Sequence, residues 1–199
     1  MRIYHREYAG RPLRAAWALE EAGQDDYEIL EMTTEEGKSE AHRARHPLAK
    51  VPVLEDDGGF LFESAAIVLH IADSFPEAGL IAEPGSRERA LVYQWVVFGP
   101  AEMEAPLIEH AIYAQTDPER SGKARKRFDE RVEAVAAALG KREHLVGDGF
   151  TVADVMVGSA LKFTGRVGFA DELPENLRDY LARLEARPAY ERALARTGH

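Results

Sequence analysis

The sequence predicts an α/β domain with the element order βαβαββα, followed by an all-α domain. Strand-like alternation and helical periodicity follow each other as far as residue 75. The next stretch is rich in turn-forming residues, namely Pro76, Gly79, Pro84 and Gly85. Beyond it the strand signals stop and apolar residues recur at helical spacing. We therefore predict a first domain over residues 1–78, a linker over 79–85 and an all-helical domain over 86–199.

Each element of the first domain carries a local signal. Residues 2–5 alternate as a short strand, and Pro12 opens the first helix in its first turn, where a missing N–H costs nothing. The later elements follow in order: a strand over 27–32, a polar helix over 36–45, a hairpin with strands at 53–54 and 60–62, and a helix over 64–75. A right-handed crossover and an antiparallel hairpin would make a small mixed sheet with helices on both faces, which is the thioredoxin-like arrangement.

The second domain is predicted to contain helices only. A long helix over residues 86–113 must kink or break at Pro100, and the next one starts around Asp117. Helices over 151–166, around Leu177 and from Pro188 follow. Residues 151–154 form a capping box in its aspartate form, so we interpret Asp154 as structural rather than catalytic.

Composition excludes several classes of protein. The formal net charge of −10 argues against non-specific nucleic-acid binding, and no apolar run is long enough for a membrane helix. The first residues lead directly into strand-like sequence without the apolar core of a signal peptide, so we expect a cytoplasmic location. The chain has no cysteine, which excludes thiolate catalysis by the protein itself. Thiol chemistry would need a ligand that brings the sulfur.

A proline at the entry of a short apolar strand marks the first candidate binding segment. The Val51-Pro52 bond is a candidate cis peptide, because proline lowers the cost of the cis form and a strand-entry position tolerates the missing N–H. A cis turn would aim the backbone N–H and C=O of Val51 outward, where they could pair with an extended peptide. The alternative is an ordinary trans proline at a sheet edge.

An acid and a hydroxyl stand where the last strand passes into a helix. Ser64 is predicted at the N-cap, where its hydroxyl, the backbone amides and the positive helix end suit a carboxylate. Glu63 beside it suits an ammonium group, so the pair suits an α-amino-acid end. The alternative is a plain helix cap. His42 and His46 share the i,i+4 spacing of a metal pair but have no further ligand arranged with them, so we expect no metal site.

These two segments together resemble the N-terminal domain of the glutathione transferase family. The similarity lies in residues 47–54, in the Glu63-Ser64 pair and in the Trp17 to Gly23 end of the first helix; the capping box matches a landmark of the family's helical domain. The resemblance implies glutathione as co-substrate. Val51, before Pro52, would bind the cysteinyl backbone, Glu63 and Ser64 the γ-glutamyl end, and Lys50 the glycyl carboxylate. Two family positions differ, because His46 replaces asparagine and Ala49 replaces glycine.

The residue that would activate the glutathione sulfur does not follow from the resemblance. The serine or cysteine position of the family falls on Ala9 or Gly10, and the tyrosine position falls on His5, with Tyr4 adjacent. A hydrogen-bond donor or a positive charge would lower the thiol pKa. Tyr8 is our first candidate, with Tyr4 and Arg11 as further ones. The alternatives are a packed strand residue for Tyr4, an exposed loop residue for Tyr8 and a surface charge for Arg11.

We therefore predict a glutathione transferase that conjugates the glutathione thiolate to a hydrophobic electrophile. The family resemblance also implies a homodimer. Two alternatives stay open: a non-catalytic binding or scaffold protein with this fold, and a glutathione-dependent isomerase or lyase with a narrow substrate.

Overall fold

The computed structural model describes residues 1–7 and 10–198, which form two compact units. The first unit comprises Met1–Ile81 together with Ala186–His199, and the second comprises Ala82–Glu185. The sequence-based division places residues 186–199 in the helical domain, whereas the structure groups residues 186–198 with the first unit, where they pack on its first helix. Within the described ranges, no helix combines the length and apolar character needed to cross a membrane.

The first unit contains a four-stranded mixed sheet, as predicted. Its elements are β1 (Arg2–His5), α1 (Pro12–Glu21), β2 (Glu28–Glu31), a 3-10 turn (Glu36–Lys38), α2 (Glu40–Arg45), β3 (Val53–Asp56), β4 (Gly59–Phe62) and α3 (Ser64–Ser74). The strand order is β2-β1-β3-β4. β1 pairs with β2 in parallel and with β3 antiparallel, and β3 and β4 form the predicted hairpin. The order βαβαββα is therefore confirmed.

The core of the first unit lies between the sheet and helices α1 and α3. Ile3, Trp17, Leu19, Ile67 and Ile71 are fully or almost fully buried there. α1 supplies an apolar stripe of Leu13, Ala16, Trp17 and Leu19, and α3 supplies Ile67 and Ile71 one turn apart, as helical periodicity predicts. Burial of these large side chains is the main stabilising term for the unit.

The last helix, α9 (Pro188–Thr197), is held on α1 by packing and ion pairs. The Tyr190 ring meets Trp17 edge-on at 4.9 Å between ring centroids. Arg187 binds both carboxylate oxygens of Glu21 at 2.6 and 2.7 Å. These contacts join residues far apart in sequence, and for that reason local patterns did not indicate them.

The second unit is helical throughout its described elements. These are α4 (Arg87–Phe98), α5 (Ala105–Tyr113), α6 (Pro118–Leu139), α7 (Val152–Arg166) and α8 (Glu175–Glu185). A π-helical turn over Gly99–Glu104 separates α4 from α5. The predicted break at Pro100 thus takes the form of a widened turn, because proline cannot donate the usual backbone hydrogen bond. The capping box at the start of α7 is present, as predicted.

Candidate functional site

The strand register brings the predicted binding segments to one end of the sheet. Val53 pairs with Phe62 across the hairpin and with Tyr4 of β1. Residues 51–52 directly precede Val53, and residues 63–64 directly follow Phe62. Because β3 and β4 are antiparallel, these two segments run side by side at the end where β1 finishes. The structure therefore brings Val51, Glu63 and Ser64 together.

The Val51-Pro52 peptide bond is cis. Val51 is half-buried, and neither its N–H nor its C=O is hydrogen-bonded to another residue of the described chain. Ala49, two residues earlier, has a φ of +50°, in the left-handed region that favours the glycine expected there. The Lys50 side chain is exposed, and its carbonyl accepts a hydrogen bond from His42 at 2.9 Å. This segment therefore offers one free backbone donor and one free acceptor.

The start of α3 differs in one respect from the prediction. The N-cap is Glu63 and not Ser64, because the Glu63 carbonyl accepts the Ile67 N–H at 2.9 Å and Ser64 already has helical geometry. Glu63 has φ +71° and ψ 113°, an unusual conformation for a residue with a side chain. Its side chain is exposed and does not cap the helix. The first amides of this 11-residue helix are therefore not capped by the Glu63 carboxylate, which faces outward beside them.

Arg14 is a site residue that the sequence reasoning missed. It lies on α1, is 3% exposed, and its Nη1 donates a hydrogen bond to Ser64 Oγ at 3.1 Å. A guanidinium cannot lose its proton, so it adds a fixed positive charge next to the helix start. The one available signal was a charged residue inside the apolar stripe of α1, between Leu13 and Trp17. Ser64, Arg14 and the helix amides together suit a carboxylate, and Glu63 suits an ammonium.

Of the three candidates for sulfur activation, the structure gives the surroundings of Tyr4 and Arg11. The Tyr4 hydroxyl donates to Glu55 at 2.7 Å, and the side chain packs with Met32 and Val53. Burial and this hydrogen bond raise the pKa of Tyr4, which makes its hydroxyl a weaker acid. Arg11 is half-buried directly before α1. Tyr8 lies outside the described residues. Tyr4 thus occupies the packed strand position that its alternative interpretation described.

His42 of α2 and His46, the residue that ends α2, both make hydrogen bonds within the chain. His42 is fully buried, and His46 Nδ1 accepts the Leu48 N–H at 3.1 Å. Over residues 1–7 and 10–198, no three histidine, cysteine, aspartate or glutamate side chains come together in a metal-binding arrangement.

Comparisons with known proteins agree on a family over most of the chain. The family models of the glutathione S-transferase N-terminal and C-terminal domains match residues 1–73 and 90–188. Glutathione S-transferase 1 of Zea mays is 31% identical over 98% of this chain and 96% of its own length. A solved sphingomonad glutathione S-transferase complexed with glutathione is 29% identical, covers 100% of this chain and 99% of its own, and has a TM-score of 0.87. Elongation factor 1-gamma of Trypanosoma cruzi is 34% identical over 63% of this chain and 30% of its own length.

Proposed function

Because this chain belongs to the glutathione S-transferase family, we propose that it binds glutathione and promotes attack of the glutathione thiolate on an electrophilic small molecule. The observation that carries the proposal is the arrangement at the start of α3. A buried guanidinium and a hydroxyl lie beside uncapped helix amides, with an exposed carboxylate adjacent. This arrangement matches the carboxylate and the ammonium of a γ-glutamyl group.

The proposed binding mode uses three parts of the peptide. Ser64, supported by Arg14, receives the α-carboxylate of the γ-glutamyl residue, and Glu63 receives its ammonium. Val51, next to Pro52, pairs its free N–H and C=O with the cysteinyl backbone, in the manner of strand addition. Lys50, whose side chain is exposed, neutralises the glycyl carboxylate. This mode leaves the sulfur at the end of the sheet where the first loop, residues 6–11, begins.

The chemical step needs the glutathione thiol as an anion. A free thiol has a pKa of about 8.5, so only a few per cent is ionised at neutral pH. We propose that Tyr8 donates a hydrogen bond to the sulfur and that Arg11, at the positive end of α1, adds charge stabilisation. The thiolate then attacks an electrophilic carbon of a hydrophobic substrate, either displacing a leaving group or adding to an activated double bond.

We also propose that the protein is located in the cytoplasm, as the sequence predicts.

A second candidate function is glutathione binding without thiolate formation. Two observations favour it: the Tyr4 hydroxyl is engaged by Glu55, and the usual serine or cysteine position is Ala9 or Gly10. A protein other than a transferase, elongation factor 1-gamma, is also similar to part of this chain.

Ultraviolet absorbance of bound glutathione separates the two functions. We expect the wild-type protein at neutral pH to show the thiolate absorbance and to accelerate conjugation of an aryl halide or an activated alkene. We expect Tyr8→Phe to lose thiolate absorbance and about 100- to 1,000-fold in kcat, the loss typical when one hydrogen-bond donor to a developing anion is removed. Tyr93→Phe, on the second unit, serves as the control.

The remaining outcomes each point to one interpretation. Binding without thiolate absorbance contradicts the transferase and supports the non-catalytic protein. Thiolate absorbance without activity on either generic electrophile supports an isomerase or lyase of narrow specificity. An unchanged Tyr8→Phe variant removes Tyr8 from the mechanism and leaves Arg11 as the source of sulfur stabilisation.

We also propose that the protein is a homodimer. β4 is an edge strand of the sheet, and it carries Phe60 and Phe62 at 46% and 38% exposure. Leu48, in the loop after α2, is 64% exposed. Phe60 and Phe62 alternate onto the same face of β4, and Leu48 donates its N–H to His46, whose ring lies 4.7 Å from the Phe62 ring between centroids; we call Leu48, Phe60 and Phe62 the β4 patch. An apolar sheet edge of this kind is commonly covered by another chain.

A further inference from the structure

His42 is a fully buried histidine that holds the backbone of the binding segment. It lies in α2, and its Nε2 is 2.9 Å from the Lys50 carbonyl oxygen. Because a carbonyl only accepts hydrogen bonds, Nε2 carries the proton and Nδ1 is the bare nitrogen of a neutral ring. Nδ1 is also buried, and it has no hydrogen-bond partner in the described chain. A second proton on this ring would therefore have no acceptor.

The contact lies one residue before the proposed glutathione contact. Lys50 immediately precedes Val51, whose N–H and C=O are free for a ligand. The intervening loop is tied to the same helix, since Ala49 donates to the His46 carbonyl at 2.7 Å. The position of the Val51 backbone thus depends on α2 and the residue that ends it, through the His42 ring and the His46 carbonyl.

The surroundings of His42 disfavour a positive charge on its ring. Burial is the main reason that the pKa of His42 is lowered, and the positive charges of Arg45 and Arg6 act in the same direction. The hydrogen bond to the Lys50 carbonyl opposes them without reversing the shift. The titratable and charged groups that face His42 from the elements around it are Tyr4, Arg6, Arg45, His46 and Lys50. Of these, three are cationic and His46 becomes cationic in acid, so none would stabilise an imidazolium.

We infer that His42 is a positioning residue whose neutral form presents Val51 to glutathione and whose protonation releases it. A protonated ring would have to turn its Nδ1 toward water, and this movement would give up the hold on Lys50. Glutathione binding is then lost in acid. The inference rests on the proposed function, because it assigns a regulator to the same site.

The test compares the affinity for S-methylglutathione, whose sulfur cannot ionise, between about pH 7.5 and about pH 5, where the carboxylates and the amine of this ligand do not change charge. For the wild type we expect the affinity to fall by up to about tenfold for each pH unit below the pKa of folded His42. His42→Gln keeps a neutral N–H donor without a titration. We expect it to bind within about threefold of wild type at neutral pH and to keep that affinity in acid. His42→Leu removes the donor, and we expect weaker binding at both pH values.

A matched control is His70→Gln, which removes another histidine of the same unit, one that pairs with Asp56 instead. It should keep the wild-type pH dependence. A His42→Gln variant whose affinity falls in acid as steeply as that of the wild type would overturn the inference, as would a folded His42→Leu variant with wild-type affinity. If His42→Leu does not fold, the His42→Gln comparison decides alone. Absence of glutathione binding by the wild type at neutral pH would instead reject the proposed function, and with it this role.

Discussion

At Glu63 an unusual backbone conformation and a proposed binding role coincide. A non-glycine residue at φ +71° carries a conformational cost of about 1–3 kcal/mol, which the surrounding structure must offset. The conformation places the Glu63 carboxylate in solvent while α3 begins directly after it. A glycine would adopt this geometry more easily but would bring no charge. The residue type therefore fits ligand binding better than it fits helix capping.

Arg14 provides a prediction at the same scale. Replacing it in Arg14→Gln removes the fixed positive charge beside Ser64, so glutathione affinity should fall about tenfold. A glutathione analogue that lacks the α-carboxylate of the glutamyl residue should bind the variant and the wild type equally. Calorimetric titration of both ligands gives the answer.

The control for this prediction is Arg89→Gln, because Arg89 is a similarly buried arginine of the second unit, 7% exposed. It should leave both affinities unchanged. An Arg14→Gln variant that loses the same factor with both ligands would assign Arg14 to general stability rather than to the carboxylate.

The limits of sequence reasoning are clearest at single residues. Val51, Glu63 and Ser64 could be chosen from the chain because their segment resembles a known family. Arg14 could not, because its contact with Ser64 joins residues fifty positions apart. The position of Ser64 inside the helix, rather than at the N-cap, depends on the dihedral angles of Glu63, which no residue pattern specifies. The burial of the Tyr4 hydroxyl against Glu55 likewise depends on strand pairing.

At the scale of elements, α7 shows how one side chain can organise several backbone groups. Asp154 is fully buried and accepts hydrogen bonds from the Thr151 N–H at 2.9 Å, the Leu145 N–H at 3.0 Å and the Tyr180 hydroxyl at 2.7 Å. Burial and the negative charge of Asp154 raise the pKa of Tyr180, so its hydroxyl stays a donor. The role is structural, as the capping-box pattern predicted.

Asp154→Ala should therefore destabilise the protein strongly. Three buried donors would lose their acceptor, so we expect the free energy of unfolding to fall by about 3 kcal/mol or more. Urea unfolding followed by circular dichroism measures this change. Asp148→Ala, at an exposed position close to the same helix, should stay within about 0.5 kcal/mol of wild type. A similar small loss in both variants would contradict a central role for Asp154.

The order and type of the elements followed from local signals, since turns, caps and apolar periodicity act over a few residues. Three of these local signals are present in the structure: the turn at Gly58-Gly59 between β3 and β4, the break at Pro100 and the cap at Thr151. The placement of α9 did not follow. Its contact with α1 depends on ion pairs such as Arg187 with Glu21 and on the packing of Tyr190 against Trp17, which only the folded chain creates.

At the scale of the whole molecule, the β4 patch predicts the oligomeric state. Leu48→Glu places a charge in the patch at its most exposed residue, and we expect it to convert a dimer into a monomer in sedimentation velocity. Ile112→Glu, a change at an equally exposed apolar residue of the second unit, should leave the dimer intact. A Leu48→Glu variant that stays dimeric would place the interface elsewhere, and a monomeric wild type would reject the proposed dimer.

Calorimetric titration of the wild type and Glu63→Gln tests the central claim most directly, with glutathione and an analogue without the glutamyl ammonium as ligands. We expect saturable binding of glutathione by the wild type, with a dissociation constant between about 1 µM and a few millimolar. Removing the ammonium or the Glu63 charge should each weaken binding about tenfold, and removing both should cost little more than removing one. The absence of saturable heat at about 10 mM glutathione would contradict the account, because no ligand would then occupy the start of α3.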